Sequence, residues 1–160
     1  MIRWRRRHGD RGSVSVEVAV LAPAFLALVV VAGVVGRTAV ANEAIGFAAH
    51  DAARAASISR DADAAQQAAQ EAAQAQLAAQ GLSCESAPEL EFGGYVEGVE
   101  AGFDEAFGSP PGVDASVSVV VTCSVTFVSL QMPGYLQVPD SKLVSVRFVS
   151  PLDRYRARSE

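Results

Sequence analysis

The sequence predicts an α+β protein, in which a long N-terminal transmembrane helix and a second helix precede a small antiparallel β-sheet. Three stretches carry this prediction: an uncharged apolar run at 18–36, an alanine- and glutamine-rich stretch at 64–80, and alternating valines and small polar residues at 115–130. A helix of 19 residues spans about 28 Å, close to the roughly 30 Å of a bilayer core. We therefore divide the chain into a basic leader, a transmembrane helix, a helical region and a small β-rich domain, at 1–12, 13–36, 37–80 and 81–160.

Charge is segregated along the chain. Residues 1–12 hold five arginines and one aspartate, net +4, whereas residues 13–160 hold 8 basic and 17 acidic residues, net −9. Basic residues beside an apolar helix favour the cytoplasmic side of a membrane. The sequence thus predicts a single-pass membrane protein with a cytoplasmic leader and an extracytoplasmic remainder. The basic cluster at 4–8 could instead bind nucleic acid, but beside an apolar run we expect it to orient the helix, with no nucleic-acid partner.

Glu17 is a carboxylate at the start of the apolar run. Such a residue is costly in a membrane unless it is paired, although it could lie harmlessly at the headgroup level. Gly12 precedes it by five positions, after the short basic leader. A cut between Gly12 and Ser13 would create an amino terminus whose charge could neutralise Glu17 of a neighbouring subunit during assembly.

The run Gly12–Pro23, GSVSVEVAVLAP, resembles the start of the TadE-like family. These proteins are minor pseudopilins of tight-adherence (Flp-type) pilus systems, with a signal similar to that of type IV prepilins. Members carry a glycine, a glutamate five residues later, an alanine two beyond it and then a proline, which here are Gly12, Glu17, Ala19 and Pro23. Val18 stands where the family often has an aromatic residue.

The resemblance implies a pilus assembly protein, either a minor component or an assembly factor, with a pilin-like plan of helix and sheet. It implies cleavage at Gly12–Ser13 by a prepilin peptidase, with glycine leaving the scissile bond unhindered. The implied partners are the membrane, that peptidase, other pilins or pseudopilins and the assembly machinery, and the implied location extends to a surface pilus. A different class of function remains open: a single-pass anchored binding module that enters no filament.

Pro23 lies inside the apolar run, where it removes one helix hydrogen bond and favours a kink. Membrane helices tolerate this, because neighbouring groups can satisfy the freed carbonyl. A competing interpretation is an ordinary secretory signal, since Ala39-Val40-Ala41 is an A-x-A cleavage pattern. The apolar run is longer than a typical signal core and the sequence continues as helix, so we do not expect a mature start at Asn42.

After the membrane run, alanine-rich residues 37–57 predict that the first helix continues. Residues 57–61 predict a break, with Ser59 or Asp61 as the next N-cap. Residues 64–80 predict a second helix that ends at Gly81. In this helix we expect a small-residue stripe formed by Ala65, Ala68, Ala72, Ala75 and Ala79.

The C-terminal half predicts strands. Residues 84–92 could form an edge strand, although Pro88 weakens that assignment. Residues 85–114 contain eight acidic and no basic residues, and suggest a long loop with a short helix near 99–107. Residues 115–130 and 143–149 predict antiparallel strands, with turns at 132–134 and 139–140. The expected buried face holds Val117, Val119, Val121, Cys123, Val125 and Phe127 on one strand, and Val144, Val146 and Phe148 on the other.

Cys84 and Cys123 both follow the membrane run. Outside the cytoplasm a disulfide between them is permitted, and two buried free thiols are the alternative. The basic tail at 154–160 could meet the acidic segment, with little gain from such surface pairs.

The residues carry no pattern that we associate with catalysis. His8 lies in the leader and His50 on an alanine-rich helix, and no zinc-ligand spacing, phosphate loop or G-x-S-x-G motif occurs in the sequence. A calcium site within 85–114 is conceivable, but the spacing fits no EF-hand loop and a solvated acidic surface is the stronger interpretation. We therefore expect no enzyme, metal or cofactor.

Overall fold

The computed structural model of the chain describes residues 11–126 and 141–155, with side chains from residue 17 onward. The described residues form one antiparallel sheet in the order β2-β1-β3-β4, together with three helices. The predicted α+β class, with a long apolar N-terminal helix, a second helix and a small antiparallel sheet, is confirmed. The elements in chain order are α1 Arg11–Ile58, α2 Ala62–Ala79, β1 Glu89–Val96, β2 Val99–Ala101, α3 Phe103–Gly108, β3 Ala115–Thr126 and β4 Ser141–Pro151.

The chain forms two compact units, Met1–Arg37 and Thr38–Glu160. The described part of the first unit is the N-terminal part of α1, whose large apolar side chains, such as Leu21, Phe25 and Leu28, are about two-thirds exposed. By length and composition, α1 could cross a membrane, and its most apolar stretch of 18 residues contains no buried residue.

The second unit has a continuous apolar core. The predicted continuation of the first helix is confirmed, because α1 extends to Ile58. Between Ala41 and Ala56, this helix buries one isoleucine, Ile45, and a set of alanines. They belong to the same core cluster as the valines of β3 and Leu77 of α2. Alanine side chains are short, so the helix backbone can lie close to its neighbours.

The start of α2 follows the predicted capping. Asp61 is the N-cap, and its Oδ1 accepts a hydrogen bond from the Ala64 N–H at 2.7 Å. At the other end, Gly81 has φ +66° and the Leu82 N–H donates to the Leu77 carbonyl at 3.0 Å. This is the Schellman arrangement that commonly ends a helix at glycine.

The predicted alanine stripe of α2 is fully buried only at Ala65, and Ala68 and Ala72 are half-buried. The structure buries Ala65, Ala69, Ala73 and Leu77, whereas Ala75 and Ala79 are exposed. Leu77 is the only large apolar residue in α2, so burying it turns inward the residues that precede it at intervals of four.

Residues 85–114 are not the long loop that the sequence suggested. β1 starts directly after Pro88, and its residues 89–93 pair with β3 alone, so the expected edge strand within 84–92 is confirmed from Glu89 onward. β2 covers the other side of β1 only at residues 94–96. Glu97 and Gly98, with φ of +52° and +80°, join β1 to β2 in a two-residue hairpin turn. This turn type requires positive φ at both central residues. The predicted short helix exists as α3, but residues 99–101 form a strand.

Gly94 allows α3 to fold back onto β1. A Cβ atom at this position would lie 2.6 Å from the Ala106 Cβ and 2.8 Å from the Gly102 carbonyl oxygen. Phe103 of α3 also packs against Phe92 of β1, with ring centroids 5.1 Å apart.

β3 and β4 pair antiparallel, as predicted, with Val119 opposite Phe148 and Val121 opposite Val146. We call the covered side of the sheet the inner face. It carries the predicted buried residues Val117, Val119, Val121, Cys123, Val125 and Val144, while Val146 is half-buried and Phe148 is 36% exposed. The expected residue Phe127, the end of the strand at Leu130 and the turns at 132–134 and 139–140 lie outside the described residues.

Candidate assembly and processing site

The predicted processing site lies at the start of α1. Gly12 and Ser13 belong to its first turn, and Glu17 follows with an exposed side chain. Five residues of helix separate Gly12 from Glu17 by about 7.5 Å along the axis. A helical amino terminus created at Ser13 would therefore lie about one turn from the Glu17 carboxylate.

Pro23 lies within α1, which continues on both sides of it. Proline has no N–H, so the carbonyl of Ala19, four residues earlier, lacks the donor that a regular helix would supply. The site thus combines a carboxylate and a freed backbone acceptor within two residues of each other, both within the apolar N-terminal part of α1.

Exposed apolar side chains follow this site along α1. Besides Leu21, Phe25 and Leu28, the exposed set comprises Val18, Val20, Leu26, Val29, Val31 and Val35. Contiguous apolar surface of this kind is typical of contact with a membrane or with other apolar helices. Among these side chains, Glu17 brings a charge.

A disulfide joins Cys84 to Cys123 in the second unit. Two hydrogen bonds lie beside it: the Glu85 N–H donates to the Ser124 carbonyl at 2.9 Å, and the Ser124 hydroxyl donates to Glu85 Oε2 at 3.1 Å. The segment between α2 and β1 is thereby fastened to β3. From the sequence alone, two buried free thiols were the alternative to this disulfide.

The second unit offers little catalytic chemistry in its described residues. A shallow hollow of about 490 Å³ lies between α2 and residues 82–88, and its charged lining residue, Glu85, already accepts a hydrogen bond. His50 lies on the surface of α1, with Nδ1 3.0 Å from Asp51 Oδ1 and its ring 4.6 Å from that of Phe148. No group of three or more His, Cys, Asp or Glu residues among those described could hold a metal ion.

Arg154, the first residue of the basic tail, meets the acidic segment, as the sequence suggested. Arg154 Nη2 lies 3.1 Å from Asp114 Oδ1, and the Gly112 N–H donates to the Arg154 carbonyl at 2.8 Å. Both ionic side chains are more than half exposed. This contact fastens the loop before β3 to the end of β4, with a small electrostatic gain.

The sequence patterns did not reveal the edge strand β2. At β2, the residue pair Val99 and Glu100 was assigned to a loop or helix, yet both are exposed on an edge strand. The signal was present as Glu97-Gly98 between two valines, because glycine in a two-residue link favours a hairpin.

The fold and site define a protein with one apolar N-terminal helix of membrane-spanning length and a disulfide-linked α+β unit. Comparisons with protein-family models, curated proteins and solved structures found no match.

Proposed function

We propose that this chain is a TadE-like pseudopilin, processed by a prepilin peptidase between Gly12 and Ser13. In this proposal, its apolar helix first anchors it in a membrane and then contributes to a tight-adherence pilus or a related secretion machine. The observation that carries the proposal is the interval of five residues between Gly12 and Glu17 at the start of α1.

The exposed apolar surface of α1 supports this role. Water solvates such side chains poorly, whereas lipid or neighbouring apolar helices accommodate them. Glu17 would be costly among apolar helices unless an opposite charge paired with it. A new ammonium group at Ser13 of one subunit supplies that charge for Glu17 of the next, so the pairing favours assembled over separate subunits.

The amino terminus of the mature protein tests the proposed processing. We expect it to begin at Ser13 in cells that have the peptidase and at Met1 in cells that lack it. Gly12→Leu should block the cut, because a large side chain hinders access to the scissile bond, whereas Gly36→Leu is a matched control that leaves the cut intact. An uncut leader in the presence of the peptidase would support the anchored binding module instead, and a start at Asn42 would support a secreted protein.

The role of Glu17 is tested by Glu17→Ala, with Glu43→Ala as the matched control. Both glutamates are exposed on α1. We expect the first variant to be processed but to lose pilus assembly, and the second to assemble normally. Normal assembly of the Glu17→Ala protein would exclude the proposed pairing of its carboxylate with an amino terminus.

A further inference from the structure

The two edges of the sheet carry opposite charge. β1, β2 and the turn between them contain four glutamates and no basic residue, β3 contains no charged residue, and β4 contains Lys142 and Arg147 and no acidic residue. Glu100 on the β2 edge and Arg147 on the β4 edge are both exposed. Neither belongs to an ion pair within the described part of the chain.

The backbone at both positions points away from the sheet. The Leu152 N–H donates to the Ala115 carbonyl at 2.9 Å. Because ladder bonds alternate along an antiparallel strand, even-numbered residues of β4 bond to β3, and Arg147 directs its N–H and C=O outward. On the other side, the Glu97 N–H donates to the Asp114 carbonyl at 2.7 Å. Odd-numbered residues of β1 therefore bond to β3, and even-numbered residues bond to β2. Because Glu100 lies opposite the odd-numbered Tyr95, its N–H and C=O point outward.

The side chains at the two edges occupy matching faces. Glu100 lies opposite Tyr95, and Arg147 lies opposite Val120, which places both charges on the outer face, the side opposite the inner face. Val99 and Phe148 both belong to the inner face, and they are 69% and 36% exposed. Each edge thus presents one charge on the outer face beside one exposed apolar residue on the inner face.

Strand direction permits a continuous sheet between copies. All pairings are antiparallel in the order β2-β1-β3-β4, so β2 and β4 run in opposite directions. A second copy in the same orientation would therefore meet the β4 edge with an antiparallel β2 edge. We infer that copies of this chain associate side by side, with Arg147 of one opposite Glu100 of the next and Phe148 opposite Val99.

Only one register aligns the outward N–H and C=O groups, places residues of the same face opposite each other and pairs the two charges. It also places Val146 opposite Ala101, both inner-face residues. A shift by one residue would oppose residues from different faces and misalign the backbone groups. A shift by two would set Ser145 or Val149 opposite Glu100 and lose the charge pair.

The occupant of each edge is a second copy, because both complementary edges belong to the same chain. The contact is heterologous, so it joins copies into rows rather than closed pairs. It rests on the proposed function in one respect: anchoring by α1 in one membrane places the second units of all copies on the same side of that membrane. Anchoring also raises their effective concentration, so a small contact is sufficient.

Zero-length cross-linking of the full chain in liposomes tests this contact. The variant Arg147→Lys keeps the positive charge and adds an amine that a carbodiimide can join to a carboxylate. With equal amounts of unlabelled and ¹⁵N-labelled chain, we expect peptides that link position 147 of one isotopic form to Glu100 of the other. Adding Glu100→Gln should abolish this product, and Arg54→Lys, on the exposed face of α1, should form no link to Glu100.

Links only within one isotopic form, or a product that persists with Glu100→Gln, would overturn the inference. Energy transfer between fluorescent copies in liposomes gives an independent measure. Arg147→Glu should reduce the transfer, and combining it with Glu100→Arg should restore it, with circular dichroism showing that each variant is folded. Failure of the double variant to restore transfer would equally exclude the charge pair.

These measurements use the uncut chain, so they are separate from the test of processing. A cross-link at Glu100 together with an intact leader in cells would remove the pseudopilin proposal and leave the contact between sheet edges standing. A mature start at Ser13 with no cross-link would support the pseudopilin proposal and exclude the contact between sheet edges.

Discussion

The two parts of α1 differ in the exposure of their apolar residues. From Val18 to Gly36 the helix carries valine, leucine and phenylalanine, and its most apolar 18-residue stretch contains no buried residue. From Ala41 to Ala56 its buried residues are mostly alanines, most of them completely buried. The more hydrophobic part is thus the exposed one, and the less hydrophobic part lies in the core of the second unit.

This contrast shows that the two parts are built for different surroundings. Burial of an alanine removes little apolar area from water, so its contribution is small compared with that of a leucine. Alanine is suited instead to close approach of the backbone. The second unit therefore depends on additional sources of stability, namely the valines of β3 and the disulfide. The first part of α1 is long and apolar enough to cross a membrane.

Removal of the disulfide should have the largest effect on the free energy of unfolding, and it should destabilise the second unit alone. Cys84 and Cys123 are 39 residues apart in the sequence. Closing a loop of that length restricts the unfolded chain and is worth about 4 kcal/mol on the chain-entropy model. We expect Cys84→Ala combined with Cys123→Ala to lower the free energy of unfolding by about that amount. Urea unfolding of the detergent-solubilised chain, followed by circular dichroism, measures it.

Reduction of the wild-type protein by a thiol provides the control for this prediction. It should shift the urea midpoint in the same direction as the double variant, while association with liposomes stays unchanged. Equal stability of the oxidised and reduced proteins would show that the disulfide does not hold the second unit together.

The same substitution made in each part of α1 should have different effects on stability. Ala52 is fully buried, whereas Ala32 is exposed. Because extra methylene groups in a packed core force neighbours apart, Ala52→Leu should cost about 1–3 kcal/mol of unfolding free energy. Ala32→Leu is the matched control and should leave the urea midpoint unchanged. Equal effects of the two variants would contradict the division of α1 into an exposed and a buried part.

Loss of the α2 cap should produce the smallest of these effects. Asp61→Ala removes the acceptor for the Ala64 N–H, and an N-cap loss of this kind costs about 1 kcal/mol. Asp63→Ala, two residues further on, is the control, because that exposed side chain is not the cap. A urea midpoint that falls for Asp63→Ala but not for Asp61→Ala would contradict the assignment of Asp61 as the N-cap.

The helical half of the fold could be predicted closely because its signals are local. The apolar run, the alanine-rich continuation, the cap at Asp61 and the end at Gly81 are all properties of neighbouring residues. The alternation of β3 likewise revealed its buried face. The inward face of α2 could not be read in the same way, because alanines lie on several sides of that helix and one leucine decides among them.

The sequence by itself determined the α+β class, the long apolar helix and the interval from Gly12 to Glu17, because composition and spacing are fixed along the chain. Only the tertiary structure decided that β2 covers the end of β1, that Cys84 meets Cys123, and that Glu100 and Arg147 occupy opposite edges of one sheet. The physical reason is that strand order and register arise from pairing between distant segments. A strand pattern records which residues alternate, whereas its neighbours depend on which other strands the whole chain brings beside it.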